Sequence, residues 1–291
     1  MLTKLPLTIV LLLLLSFALE AKSLLYKVTS GNSTVYILGS MHLAKPGLYP
    51  LESAIEEAYG KSDALVVELD PESREAAAVM QQSMATLGVY PQGKSLKTEL
   101  TPKTYKALQA YAAGSGLPLY AMEQMRPWVV MQQLTMTEML RLGYSPELGI
   151  DRHFLDKAKR DKKTVLALES IQEQMALLSR DDKAYQDRLL RYTLASMEEI
   201  EPMLNQLQAS WKSGDAKGME KLFLLSLKED PALKEVYANL VTKRNYRMTE
   251  KIVSWMKCKK VYFVVVGAGH VVGEEGIVEL LRKRGYKATQ K

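Results

Sequence analysis

The stretch "VYILGSMHLAK", Val35–Lys45, decides how this chain is read. It begins as a β-branched and aromatic apolar run, the composition of a buried strand, and then breaks at Gly39-Ser40-Met41-His42. "VYFVVVGAGHVVG", Val261–Gly273, repeats the arrangement near the other end. The chain has 3 histidines, and His42 and His270 each follow a strand-ending glycine by three residues. Glycine allows positive φ and the close approach of another backbone or a ligand. Such a loop can turn sharply and hold an imidazole over the sheet edge, where it suits metal ligation or proton transfer near neutral pH. His153, inside the helical "DRHFLDKAK", reads as a surface or packing residue.

Upstream, Leu24–Thr29 and Thr34–Leu38 flank Ser30-Gly31-Asn32-Ser33 and predict a β-hairpin. Downstream, Leu51, Ala54, Ile55 and Ala58 share one helical face, and "DALVVEL" follows as a short buried strand. Strand, helix, strand favours parallel pairing by a crossover. The tract from about residue 72 to 257 is mostly helical, with "GLPLYAM" and "TVLALE" as short strand candidates and a break at Asp230-Pro231. "KVYFVVVG", a helix over "GEEGIVELLRKRG" and a closing edge strand "YKATQ" complete the chain. The fold class expected is α/β: one domain over residues 22–291, with a central mixed sheet, an N-terminal β-hairpin and a large helical insertion.

Four strands therefore run into a ligand or proton carrier: His42, Glu68, Glu169 and His270. In parallel α/β sheets, ligands bind outside the carboxyl ends of the strands, so these groups converge if their strands are neighbours. Glu68 ends a strand that is apolar on both faces, and a buried carboxylate must be paired, metal-bound or protonated. Arg244 falls on the apolar Leu240–Met248–Ile252 stripe of its helix and must find an anion there. Either it makes a structural salt bridge to a helix or loop, or it neutralises a site carboxylate or steadies a developing oxyanion. Asn245, its neighbour, shares that site only if the helix rotates or ends locally. "GAGHVVG" is not a dinucleotide loop, because its spacing is G-x-G-x-x-x-G and the 18 residues after Gly273 are too few for the crossover, strand and ribose-binding acid that such a loop needs.

Bulk composition bounds the rest. The 291 residues are 47% hydrophobic and 25% charged, as in ordinary globular domains. The net charge of +6 comes from cations scattered among 33 acids, which is a mixed solvated surface and not a nucleic-acid interface. Residues 1–21 read as a signal peptide: Lys4, an apolar run, then Ala18 and Ala21 as alternative cleavage points. That run, of about 14 residues, is short against the roughly 20 of a bilayer span. No later stretch is long and apolar enough to span, and no cysteine near the cleavage region offers a lipid anchor. These features predict a periplasmic or secreted protein. The one cysteine, Cys258 at a helix end, can form no intramolecular disulfide and reads as a buried or half-buried small residue.

Taken in order, the segments "GSMH", "DALVVEL", "LGIDRHFLDKAK", "LALESIQEQ", "RNYRM" and "VVVGAGHVVGEEGIVELLRKRGY" resemble the TraB/GumN family, related to the Tiki metalloproteases and the erythromycin-esterase-like fold. The resemblance runs from about Leu24 to Tyr286. Ser40 stands where the family often has threonine, which keeps a hydroxyl. The resemblance implies a mixed α/β fold with a two-histidine, acidic site, and metal-dependent hydrolysis for the Tiki branch.

The expected function is then an exported metal-dependent hydrolase, acting on a peptide or another small substrate. His42, Glu68 and His270 are its candidate ligands for a divalent metal. Glu68 is alternatively the general base, Glu169 a further ligand or an orienting group, and Arg244 the electrostatic stabiliser. Mixed nitrogen and oxygen ligands suit Mn, Zn, Co or Fe without choosing among them. Two alternatives stand beside it: a non-catalytic periplasmic binding protein for a peptide or anionic ligand, and a hydrolase of esters or lactones.

Overall fold

The hairpin forms as the sequence predicts. Strand β1 (Leu25–Ser30) pairs antiparallel with β2 (Ser33–Ser40), with Val28 opposite Val35. The computed structural model describes residues 23–31, 33–229 and 233–291. The predicted signal peptide, Asn32 of the turn and the Asp230-Pro231 break lie outside the described residues.

The other strands are β3 (Ala64–Val67), β4 (Thr164–Ala167), β5 (Val261–Gly267) and β6 (Lys287–Gln290). They form one mixed sheet in the order β4-β3-β5-β2-β1-β6. The four strands from β4 to β2 are parallel, and β1 and β6 close the far side antiparallel. β5 is apolar on both faces, so it needs cover on both sides and takes a central place. Phe263 and Val265 pack with Leu38, Leu65 and Val67 against Ile55 and Tyr59 of helix Ser53–Gly60 and Phe154 of helix Ile150–Arg160. Val264 and Val266 pack with Ile37 and Val66 against Met248 and Ile252 of helix Lys243–Trp255 and Ile277 and Leu281 of helix Ile277–Lys283. Each such side chain contributes about 1.5–3 kcal/mol by leaving water, so these two layers carry the fold.

The tract between β3 and β5 is mainly helical, with its own core around Leu108, Val130, Leu134, Tyr144 and Leu190. Within it β4 returns to the sheet beside β3. "GLPLYAM" is not a strand: Leu119–Met122 is a single helical turn after Pro118, and Leu117, Leu119 and Met122 join the helical core. Burial against helices overrides the local β preference there. Trp211 ties the helical tract to the sheet, donating from Nε1 to the Gly39 carbonyl at 2.6 Å. Cys258 departs from expectation too. It lies exposed in the short turn between Trp255 and β5, past the last helical residue that faces the core. Among the described residues no helix is long and apolar enough to cross a membrane.

Candidate functional site

Strand order assembles the site. β5 runs between β2 and β3, with Ser40 opposite Gly267 and Val67 opposite Val265. His42, His270 and Glu68 therefore leave one sheet edge from three adjacent strands. β4 brings Glu169 beside them, its N–H donating to the Glu68 carbonyl at 2.8 Å. The loop glycines serve close approach and not left-handed backbone, since neither Gly39 nor Gly267 has positive φ. A Cβ on Gly39 would stand 3.2 Å from the Ala268 Cα. On Gly267 it would stand 3.2 Å from Glu68 Oε1, 3.3 Å from His42 Nε2 and 3.6 Å from His270 Cδ2. The carboxylate and both imidazoles thus surround one point.

Both rings are held from behind. His270 Nδ1 lies 2.6 Å from the Asn245 side-chain oxygen. The Asn245 amide nitrogen donates to the Glu275 carbonyl at 2.8 Å, which fixes the amide's orientation. His270 therefore carries its proton on Nδ1 and turns the bare Nε2 lone pair toward Glu68 Oε1, 3.7 Å away. Burial pushes the His270 pKa down against the pull of Glu68, so the ring is neutral. Burial raises Glu68, but the charges of His42 and Arg244 and the Gly267 N–H outweigh it and hold the carboxylate ionised. A lone pair and a carboxylate oxygen thus face each other, an arrangement that calls for a cation between them.

On the other side, His42 Nδ1 meets Asp151 Oδ2 at 2.9 Å, and the Ser40 hydroxyl donates to Asp151 Oδ1 at 2.9 Å. Asp151 raises the His42 pKa to about 9, with burial opposing it. The His42 side chain is 59% exposed, so it sits at the rim, where solvent screens part of this attraction. Sequence reasoning missed Asp151. It lay in the quoted "LGIDRHFLDKAK", but an acid in a helix's first turn looks like ordinary capping. Its position depends on a clamp between loops: Ile150 N donates to the Met41 carbonyl at 3.0 Å, and a Cβ on Gly149 would collide with the His42 carbonyl.

Arg244 meets the anions its apolar stripe demanded. Nε reaches the two Glu169 oxygens at 3.0 and 2.9 Å, and Nη2 reaches Glu169 at 2.6 Å and Glu68 at 2.7 Å. Nη1 donates to the Leu240 carbonyl at 3.0 Å. Gln174 adds a bond to Glu169 at 3.2 Å, and Arg247 stands 3.5 Å from the same carboxylate. Glu169 is 1% exposed and fully engaged, lying behind Arg244. Asn245 shares the site although its helix runs unbroken through Lys243–Trp255. Adjacent helical residues point about 100° apart, and the site spans both directions: the glutamates under Arg244, His270 under Asn245. A π-helical turn, Ala238–Thr242, leads into this helix, a device often found at functional sites.

Among the described residues, no three His, Cys, Asp or Glu side chains already stand as a coordination set. The donor chemistry nonetheless fits a divalent ion. Two imidazoles have their far nitrogens held by oxygen, a carboxylate faces them, and Gly267 has no side chain to fill the space.

These features define a class: a mixed α/β protein whose paired G-x-x-H loops and strand-end glutamate meet at the carboxyl edge of its parallel strands. The chain belongs to the TraB/PrgY/gumN family, whose model matches residues 24–290. It is similar to YbaP of Escherichia coli (strain K12), with 25% identity over 253 residues covering 87% of this chain and 89% of that one. Similarity extends to Metalloprotease TIKI2 of Xenopus tropicalis, with 24% identity over 305 residues covering 87% of this chain and 57% of the frog protein. Metalloprotease TIKI1 of Danio rerio is 22% identical over 307 residues, covering 87% of this chain and 60% of its own. No solved structure matches the chain.

Proposed function

We propose that this chain is an exported metal-dependent hydrolase that cleaves peptide bonds. One observation carries the reading: the bare His270 Nε2 faces the ionised Glu68 carboxylate at 3.7 Å, with His42 Nε2 turned to the same point. The metalloprotease names of the two Tiki relatives favour this chemistry. The signal-like residues 1–21 favour export to a periplasm or the outside.

His42, His270 and Glu68 would hold the ion, which supplies Lewis acidity toward the scissile carbonyl and a water activated at neutral pH. Asp151 and Asn245 fix the two ring orientations. Arg244 keeps Glu68 ionised and aimed, and Glu169 with Gln174 keeps Arg244 in place. Arg244 spends most of its donors on the two glutamates, which favours neutralisation over direct contact with an oxyanion. Glu169, enclosed behind it, acts as an orienting group. Glu68 would serve as a ligand through Oε1, since Arg244 Nη2 holds Oε2 at 2.7 Å, and its strongly lowered pKa favours that role over general base.

The test is elemental analysis of the purified mature chain, then peptide turnover with Mn, Zn, Co or Fe supplied in turn. Stoichiometric metal and chelator-sensitive cleavage are expected. Peptide binding without any turnover would return the protein to the binding class.

Two substitutions probe the arrangement. Gly267→Ala suits the backbone, at φ −51°, but puts its methyl 3.2 Å from Glu68 Oε1 and 3.3 Å from His42 Nε2. Metal affinity is expected to fall by about 10–100-fold while the far-ultraviolet circular dichroism is unchanged, the scale of loss known for disturbed metal surroundings. Unaltered metal affinity would place the metal elsewhere. Asp151→Asn keeps the shape and removes the charge. Metal affinity should drop roughly 10–100-fold. In the metal-free protein the His42 titration, followed by NMR of its ring proton, should move down toward the ordinary 6.5.

A further inference from the structure

A cavity of about 310 Å³ opens directly onto the histidines. Ser40, His42, Gly267 and His270 form one end of it. The remainder is mainly apolar: Leu204, Leu207, Met219, Phe223 and Val241 come from the helical tract, and among the described residues the histidines, Tyr144 and Tyr237 are the titratable side chains that line it. Phe223 lies against the second loop, its ring 3.6 Å from where a Gly269 Cβ would stand. Val241 belongs to the π-helical turn that precedes Arg244.

We infer that this cavity receives the large apolar side chain of a substrate residue adjoining the bond that is cleaved, so that the substrate class is peptides with Leu, Met or Phe at that position. The inference rests on the hydrolase reading above. Size, chemistry and continuity support it. Ligand pockets begin at roughly 300 Å³, and a dry cavity of about 150 Å³ suffices for benzene. This one therefore takes a branched or aromatic side chain with part of its backbone. A charged side chain would lose its hydration there and gain no partner, a penalty large enough to exclude it. Because the same space reaches His42 and His270, a side chain seated in it would place its own carbonyl near the two histidines.

The test uses the mature chain with metal and a set of quenched fluorescent peptides that differ at one position next to the cleavage site. Leu, Met or Phe there should give kcat/KM at least about 30-fold above Asp, Lys or Gly, the scale of burying such a side chain. Phe223→Glu should lower turnover of the Leu peptide and raise the Lys-to-Leu ratio, a comparison that holds even if the variant is less stable. A separate arm uses no turnover. N-acetyl-phenylalanine amide should raise Tm by about 2 °C at millimolar concentration in the metal-free protein, N-acetyl-aspartate amide should not, and Phe223→Glu should abolish the rise. Cleavage indifferent to the varied residue, or equal shifts with both amides, overturns the inference and leaves the hydrolase standing. A selective apolar shift with no cleavage of any peptide overturns the hydrolase and leaves the cavity assignment standing.

Discussion

Arg244→Met is expected to lower Tm by roughly 10 °C, the largest stability effect of any single change in the site. Arg244 is the main cation for two carboxylates, Glu68 and Glu169, whose side chains are 9% and 1% exposed. Removing one partner of a buried ion pair costs about 3–5 kcal/mol, because the charge left behind stays desolvated. In a chain of this size each kcal/mol moves Tm by about 2–4 °C. Arg244→Lys should recover only part of the loss, since a point charge cannot bridge two carboxylates as a guanidinium fork does. The decisive control is the triple variant Arg244→Met/Glu68→Gln/Glu169→Gln. It should regain most of the Tm in a thermal melt and none of the metal affinity. A shift of less than about 2 °C for Arg244→Met alone would mean that the glutamates do not depend on this cation.

His42→Ala is expected to have the opposite profile, with a large functional effect and a small structural one. The side chain is 59% exposed and buries little apolar surface, so Tm should stay within about 2 °C. Metal-supported kcat/KM should fall by about 1,000-fold or more, because losing a ligand forfeits several kcal/mol of electrostatic stabilisation. His270→Ala should lose as much turnover and also some stability, because His270 is buried and holds Asn245 at 2.6 Å. Full metal occupancy with unchanged cleavage in His42→Ala would remove His42 from the site.

The site was legible where chemistry broke a local pattern. A glutamate closing an apolar strand and an arginine on an apolar helical stripe violate the rule that buried positions are apolar, and two of the chain's 3 histidines repeat one loop pattern after strand-ending glycines. Each proved to be part of one cluster. Asp151 and the hydroxyl of Ser40 were illegible as a pair because nothing in their own neighbourhoods is anomalous: an acid in a first helical turn and a serine in a loop are ordinary. Their bond at 2.9 Å exists only because Ala44 and Ser145 bridge and Ile150 N reaches Met41. Asn245 is out of phase with Arg244 along one helix, but the cluster beneath is wider than one helical face. "GLPLYAM" and Cys258 failed for the same kind of reason, since neither local propensity nor residue type says which surface a segment will meet.

By itself the sequence determined the elements and their chemistry: the hairpin, the two-faced apolar β5, the two G-x-x-H loops, Glu68, Glu169 and the need for Arg244 to find an anion. Those follow from periodicity and from the cost of burying charge, which act within a few residues. The tertiary structure alone decided that β5 lies between β2 and β3. That placement brings two histidines, far apart in sequence, to one carboxylate, turns a neutral His270 lone pair toward it, and roofs the site with an apolar cavity from the helical tract. Strand order is set by how apolar faces are shared among distant elements, and no local stretch carries that information.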